Sequence, residues 1–328
     1  MKDLKTLGEF GLIDLIKENF QAPDGVLGIG DDCSVIPQQT GCDTLVSTDM
    51  LVEGSHFLRD DITPFQLGWK SAAVNFSDIA AMGGEPVGSF LALALPKDIS
   101  AQWAEEFIRG YKAISQRFDF PLLGGDTTAS PDRISICVTV LGRCASKAAH
   151  LRSSAKPGDL VCVTGTLGDS ALGLDAVMRR LKDEDLPYAA DILIERHYKP
   201  MPRINEGLVL QESEGVHAMM DISDGVASDL LHILEASHCD AQIDLDLLPL
   251  STEAFAYCKR MRLQSHSFAL CGGEDYELLF TVEPEHEAGL DVPHTVIGRI
   301  LPYEKGTISY VNVPEGMDAA DLRGFRHF

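Results

Sequence analysis

The chain has 328 residues, enough for two domains that each bury a core, and its 45% hydrophobic and 23% charged content is that of an ordinary globular protein. A net charge of −23 excludes a nucleic-acid backbone as the expected partner, since binding one requires clustered Lys and Arg. No run of about 18 apolar residues reads as a membrane span. The N-terminal MKDLKTLGEFGLIDLIKENF is a short amphipathic segment without a signal-peptide core, so the expectation is a cytoplasmic protein with no membrane partner. The eight cysteines, at 33, 42, 137, 144, 162, 239, 258 and 271, include no C-x-x-C pair and read as small core residues.

In chain order, Asp43 to Asp49 reads as a strand. Thr63-Pro64, an N-cap followed by proline at the first helical position, opens a helix that runs to Met82 and stops at Gly83-Gly84. A strand over Ser89 to Leu95 follows, then a helix capped by Ser100 with Trp103, Phe107, Tyr111 and Ile114 on one stripe, then a strand over Ile134 to Leu141. Apolar patterning lapses over Ser146 to Asp159, which marks the domain boundary. The second series has a strand at Leu160 to Thr164, a helix after Gly168-Asp169, a strand ending near Asp221 and a helix from Val226 to Ser237. Further strands are expected at Ala241 to Leu245, Tyr276 to Val282 and His294 to Ile300. The alternation predicts two α/β domains joined near residue 147.

The chemistry is carried by short acidic motifs placed beside glycine or hydroxyl residues and near the ends of predicted elements. They are Gly28-Ile-Gly-Asp31-Asp32, Ser47-Thr48-Asp49, Asn75-Phe-Ser77-Asp78, Gly124-Gly125-Asp126-Thr127-Thr128, Asp221-Ile-Ser223-Asp224-Gly225 and Gly272-Gly273-Glu274-Asp275. Ser71, Asn75, Asp78 and Met82 form one stripe of an otherwise apolar helix, and a carboxylate in such a setting needs a compensating partner. Taken singly, each motif is more simply a turn or a helix cap. Taken together, two such carboxylates about 4 Å apart repel by roughly 4 kcal/mol at an effective dielectric of about 20, and few Lys or Arg accompany them. Divalent cations would neutralise the set, and oxygen-only donors favour magnesium, manganese or calcium over zinc. None of the motifs matches the twelve-residue calcium loop. Glycine beside the acids lets backbone approach a phosphate, and Asp224-Gly225 before a helix would offer its amides to one.

The P-loop signature is absent, and Gly28-Ile29-Gly30 runs into two aspartates instead of completing G-x-G-x-x-G. Gly165-Thr-Leu-Gly168-Asp169 is only a weak phosphate-loop match and reads equally as a turn with an N-cap. No nucleophile elbow and no H-E-x-x-H occur, and His56 alone reads as an ordinary packed or surface residue. The residues therefore point to magnesium-dependent phosphate chemistry.

In this order the motifs resemble the thiamine-monophosphate kinase family. The resemblance runs from Gly8-Glu-Phe10 through the acidic motifs, Lys156-Pro-Gly-Asp159 and Val163-Thr-Gly-Thr166, to His327-Phe328. It implies the α/β (α+β) two-domain fold shared with aminoimidazole-ribonucleotide synthetase. Residues 1–147 would form a metal- and ATP-binding domain that builds a homodimer through a sheet or barrel, and residues 148–328 an α/β domain completing the ATP and substrate site. The implied activity is phosphorylation of thiamine monophosphate to thiamine diphosphate, the final step of its biosynthesis, with ATP as co-substrate and several Mg2+ ions. The implied magnesium contacts are Asp32, Ser47, Thr48, Asp49, Asp78, Asp126, Asp221 and Asp224. Gly125, Asp126, Arg152 and Ser223 would contact ATP, with Tyr111 as an addition. His56, Glu274 and Phe325 would face the thiamine phosphate, Phe325 standing where the family pattern leads one to expect Tyr or Trp. Asp31 and Asp275 would be ligands or supports. The chemistry implied is in-line transfer between two polyanions, which asks for positioning and electrostatics and assigns no general base. The alternatives are a sister synthetase of the same fold, forming an aminoimidazole ring or selenophosphate, and a metal-stabilised binding protein without catalysis.

Overall fold

A computed structural model describes residues 15–20, 23, 39–182 and 185–317. The chain divides after Lys147 into two compact units, with residues 80–83 grouped with the second. The predicted positions Asp31, Asp32 and Phe325 lie outside the described residues.

The first unit is built on a four-stranded sheet of order β1-β4-β2-β3, with β1 at Cys42–Val52, β2 at Glu85–Pro96, β3 at Leu122–Ser130 and β4 at Ser135–Ala145. β1 and β2 run antiparallel to β4, and β3 runs parallel to β2. Two helices, α1 (Pro64–Ala81) and α2 (Ala101–Arg117), cover one face. Their starts follow the sequence. Thr63 and Gln66 form a capping box, Gln66 N–H donating to Thr63 Oγ1 at 3.2 Å and Thr63 N–H to Gln66 Oε1 at 3.0 Å. Ser100 Oγ accepts from Trp103 N–H at 3.1 Å. In β4, Ile136, Val138 and Val140 are buried while the intervening residues are half-buried, the period of two expected when one sheet face meets the helices. The helices cross at glycines: a Cβ on Gly110 would lie 1.8 Å from Phe65 O, and one on Gly68 would lie 1.9 Å from Phe107 O.

Gly124–Thr128, expected at the end of an element, lies inside strand β3, where Asp126 pairs with Ala92. Glycine and aspartate are poor strand formers, but pairing with β2 overrides that preference. Tyr111, expected beside ATP, is a core residue instead. It is 0% exposed, its hydroxyl bonds Ser89 Oγ at 2.9 Å, and its ring meets Phe20 and Phe76 edge-on, so it presents no surface to a nucleotide.

The second unit holds a six-stranded sheet of order β10-β7-β9-β5-β8-β6. Its strands are β5 (Leu160–Thr164), β6 (Val216–Asp221), β7 (Cys239–Asp244), β8 (Leu278–Val282), β9 (His294–Pro302) and β10 (Ile308–Val311). All neighbours are antiparallel except β10 with β7. The helices are α3 (Asp169–Arg180), α4 (Ala189–Tyr198), α5 (Ile204–Glu212), α6 (Val226–Ser237), α7 (Thr252–Met261), α8 (Ser265–Cys271) and the single turn α9 (Pro284–Glu287). On α6, Val226, Ala227, Leu230, Ile233 and Leu234 recur at helical spacing and pack with Val161, Val163, Leu279 and Ile297. Cys162 and its partner Phe280, on the alternate face of β5 and β8, are also fully buried, so the central strands are covered on both sides. Of the acidic motifs in the described residues, two thus lie on strands β1 and β3, one in the C-terminal half of α1, and two at the C-terminal ends of β6 and α8. No helix of the described residues is long and apolar enough to cross a membrane.

Candidate functional site

In the first unit, β1 and α1 assemble a polar group from residues far apart in sequence. Ser47 Oγ donates to Asp78 Oδ2 at 2.6 Å, and Asp49 N–H donates to Asn75 Oδ1 at 3.0 Å. Asn75, 1% exposed, is itself held by donating Nδ2–H to Ser71 O at 2.9 Å. Desolvation raises the Asp49 carboxyl above its ordinary range, and the nearby His56 partly offsets this. His56 Nδ1 accepts from Val52 N–H at 3.0 Å, so the neutral ring carries its proton on Nε2.

Strand alternation divides the other predicted contacts of this unit. Thr48 lies on the opposite face of β1 from Ser47 and Asp49, where its hydroxyl donates to Val138 O at 3.0 Å and meets Thr139 Oγ1 at 3.0 Å. Asp126 aligns through Ala92 and Cys137 with Met50 on that same open face. Three strand spacings of about 4.8 Å put about 14 Å between the Asp126 and Met50 backbones. Asp126 is exposed and accepts from Thr127 N–H at 2.9 Å. Ser47, Asp49 and Asp78 are therefore brought together, and Thr48 and Asp126 are not brought to them. Gly125, preceding Asp126, would place a Cβ 1.9 Å from Leu91 O, so only glycine fits so close to β2.

In the second unit, β6 ends at the buried Asp221, and the loop to α6 carries Ser223, Asp224 and Gly225. Two loops run alongside each other here: Ile222 N–H donates to Glu277 O at 2.8 Å, Glu274 N–H to Ser223 O at 2.8 Å and Tyr276 N–H to Ile222 O at 2.9 Å. A Cβ on Gly273 would lie 2.3 Å from Ser223 O, which accounts for the glycine. Asp229, unremarked in the sequence, organises the turn. Its Oδ2 accepts from the amides of Ser223, Asp224 and Gly225 at 3.1, 3.1 and 3.0 Å. These three amides precede the helix and are consequently occupied, so of the amides at this turn only those of the helix itself, from Val226 on, remain for the expected phosphate. Burial and the adjacent Asp221 push the Asp229 carboxyl up to about 8, against the pull of those amides.

Glu274, at φ +65°, approaches His197 Nδ1 at 3.4 Å, and that nitrogen also meets Ser170 Oγ at 2.9 Å. Asp275 accepts from Gly168 N–H at 2.6 Å and Ser170 N–H at 3.0 Å, fastening the loop to the start of α3. It is a support by geometry, and desolvation holds its carboxyl well above the ordinary range. Glu274 opens onto a cavity of about 340 Å³ within this unit, bordered by Arg196, Lys199, Arg203, Thr166 and Met201. Arg196 bonds Asp169 at 2.6 Å and Glu253 at 3.1 Å, and Arg203 pairs with the buried Glu277. Arg152 is exposed. Its carbonyl accepts from Ser237 Oγ at 2.6 Å at the C-terminal end of α6, about 16 Å along the helix from Val226 at the Ser223 end.

Oxygen-only donors suit a hard cation, and the Asp49 carboxyl, raised by desolvation beside Ser47 and Asp78, marks a place where positive charge would be welcome. Among the described residues, the one trio of His and carboxylate donors lying within 4.8 Å of one another is Glu283, Glu285 and His286, none of them an expected ligand. Asn75, Asp229, His197 and Arg203 had no assigned role from sequence. Asn75 stood on the polar stripe of its helix, and of the other three only Asp229 carried a usable signal, an acid in the first turn of a helix.

Comparison with known proteins identifies the family. Residues 30–144 match the model of the AIR synthase related protein N-terminal domain, and residues 156–310 that of the C-terminal domain. Thiamine-monophosphate kinase of Escherichia coli (strain K12) is 41% identical over 330 residues, covering 98% of each chain. The crystal structure of thiamine-monophosphate kinase from Stenotrophomonas maltophilia K279a superposes with a TM-score of 0.81 at 37% identity, covering 92% of this chain and 95% of that one. The structure of AaThiL complexed with AMPPCP and TMP gives 0.78 at 36% identity, covering 100% and 99%. With both domain models matched and near-complete coverage at such identity, the chain belongs to the thiamine-monophosphate kinase family and is a kinase of the two-domain AIR synthase related fold.

Proposed function

We propose that this chain transfers the γ-phosphoryl group of ATP to the phosphate of thiamine monophosphate, giving thiamine diphosphate and ADP. The observation that carries the reading is relatedness over the whole chain to thiamine-monophosphate kinases, one of which is complexed with AMPPCP and TMP. Ser47, Asp49 and Asp78 in the first unit, and Asp221 and Asp224 in the second, would hold Mg2+ through oxygen donors. Bound magnesium would offset the charge of the phosphates and orient them for in-line displacement. Gly125 and Asp126 at the β3 edge, with Ser223 and Arg152, would contact the nucleotide. His56, Glu274 and Phe325 would face the thiamine phosphate, the Glu274 carboxylate complementing the cationic heterocycle. No residue needs to act as nucleophile, because transfer between two phosphates is governed by positioning and charge.

The reading includes a homodimer formed by the first unit and a cytoplasmic location. Support for the dimer comes from Val46 and Met50, 63% and 56% exposed on the open face of the edge strand β1, an arrangement suited to a second copy. Incubation of the purified chain with ATP, Mg2+ and thiamine monophosphate, followed by chromatography, tests the activity. Magnesium-dependent thiamine diphosphate with equimolar ADP is expected. ADP without the diphosphate would redirect the assignment to a sister synthetase, and absence of both products would refute catalysis.

A further inference from the structure

We propose that Asp229 is a positioning residue for the nucleotide and magnesium contacts of the second unit, acting through the backbone of Ser223–Gly225. The inference rests on the reading of Asp221, Ser223 and Asp224 as those contacts. Its basis is geometric. Three consecutive amides converge on one oxygen, Asp229 Oδ2, at 3.0–3.1 Å. Asp229 is 1% exposed, and it lies in the first turn of α6, whose apolar stripe fixes the helix in the core.

Amides just before a helix have no intrahelical acceptor, and leaving three of them unbonded in a buried turn is costly. A carboxylate that reaches back from within the helix satisfies all three and sets the turn in one conformation. The amides then point inward, whereas Ser223 and Asp224 remain half-buried at the surface of the turn. Gly225, at φ +102°, permits the reversal. The same turn supplies the Ser223 carbonyl that accepts from Glu274 N–H at 2.8 Å, so the pose of one loop is passed to the next. Asp229 is thus distinct from the displayed acids: its Oδ2 is taken up by three backbone amides, it is buried, and its effect on a ligand is indirect.

The test compares the full chain with its Asp229→Asn, Asp229→Glu and Asp229→Ala variants, each assayed well below its own melting temperature. The amide oxygen of the Asn side chain can still accept the three amides, so Asp229→Asn should stay near the parent. Glu keeps the carboxyl group but moves the oxygen by one methylene. Asp229→Glu and Asp229→Ala should therefore raise the half-saturating Mg2+·ATP concentration by about 10–100-fold, with a smaller change in KM for thiamine monophosphate. Equal Mg2+·ATP saturation in parent, Asn and Glu chains, with only melting temperatures changed, would overturn the inference. That comparison decides the matter even if the Ala variant fails to fold. If the parent turns over no substrate, the kinase reading fails by itself, and calorimetric titration with Mg2+·ATP takes the place of turnover. Weaker binding in the Glu variant than in the Asn variant then supports the positioning role. Equal binding, or none in the parent, overturns it.

Discussion

Replacing Arg203 with methionine removes the cation that pairs with Glu277 and keeps the apolar length of the side chain. Glu277 is 5% exposed, accepts from Arg203 Nε at 2.6 Å and from a second guanidinium nitrogen, and is otherwise bonded by the Thr164 hydroxyl at 2.6 Å. A buried carboxylate left without its cation costs about 3–5 kcal/mol. The Arg203 side chain retains 27% exposure, so water can reach part of the site and the lower end, about 3 kcal/mol, is expected. At about 2–4 °C per kcal/mol for a unit of this size, the melting temperature should fall by about 6–12 °C. The double variant Arg203→Met/Glu277→Leu has no stranded charge and should recover all but about 1–2 kcal/mol, the cost of the orphaned Thr164 hydroxyl. Calorimetry and urea titration on the parent, both single variants and the double variant close the cycle. Additive losses, or a fall of under about 2 °C for Arg203→Met, would refute the claim that the pair is buried and coupled.

Asp49→Ala and Asp126→Ala should each leave a folded chain without phosphoryl transfer, and turnover equal to the parent in either would remove that residue from the proposed ligand set. Gly110→Ala should destabilise the first unit by at least about 3 kcal/mol, because its Cβ would sit 1.8 Å from a backbone oxygen that cannot swing away; a urea midpoint equal to the parent would disprove the close helix crossing. Burial pushes the thiols of Cys258 and Cys271 up to about 11 and that of Cys162 to about 12, so at pH 8 about 0.1% or less of each is thiolate. Alkylation of the native chain at pH 8 should spare all three and increase at Cys271 as pH rises toward 11. Peptide mass spectrometry showing Cys162 modified as fast as in urea would contradict its burial.

Much of the fold is legible in the sequence where local signals agree with packing. Val226–Ser237 is helical over the span its apolar stripe predicts, and Thr63-Pro64 and Ser100 start helices because their hydroxyls meet real orphan amides. Helices α4 and α5 escape notice because Tyr188 and Arg203 precede them without a side-chain cap, so only tertiary packing defines their starts. Helix α7 did carry a signal, since Ser251 Oγ accepts from Ala254 N–H at 2.9 Å. Strand β3 is hidden by its glycines and aspartate. In the site, the stripe of Ser71, Asn75 and Asp78 is readable from helical spacing, whereas the bond between Ser47 and Asp78 joins residues 31 apart and has no local trace. The separation of Thr48 from Ser47 and Asp49 follows from strand alternation, once Ser-Thr-Asp is treated as three strand positions and not as one motif.

The acids in and beside the motifs are of two kinds, and the backbone tells them apart. Asp229 and Asp275 each collect successive or neighbouring amides, three for the first and two for the second, and each fastens a loop to the start of a helix. A carboxylate so engaged is held in one pose and has little capacity left for a cation. Asp78 instead receives a serine hydroxyl from β1, and the exposed Asp126 accepts only the amide of the next residue along β3 at Oδ1. In Gly-Gly-Glu-Asp the division occurs between adjacent residues, Asp275 tied to α3 and Glu274 turned toward the cavity by a positive φ. Some of the sequence's acidity thus goes into fastening loops to helix starts. That division suits phosphoryl transfer, where a loop that moves by an ångström misplaces the reacting oxygens and fixed dipoles do most of the work.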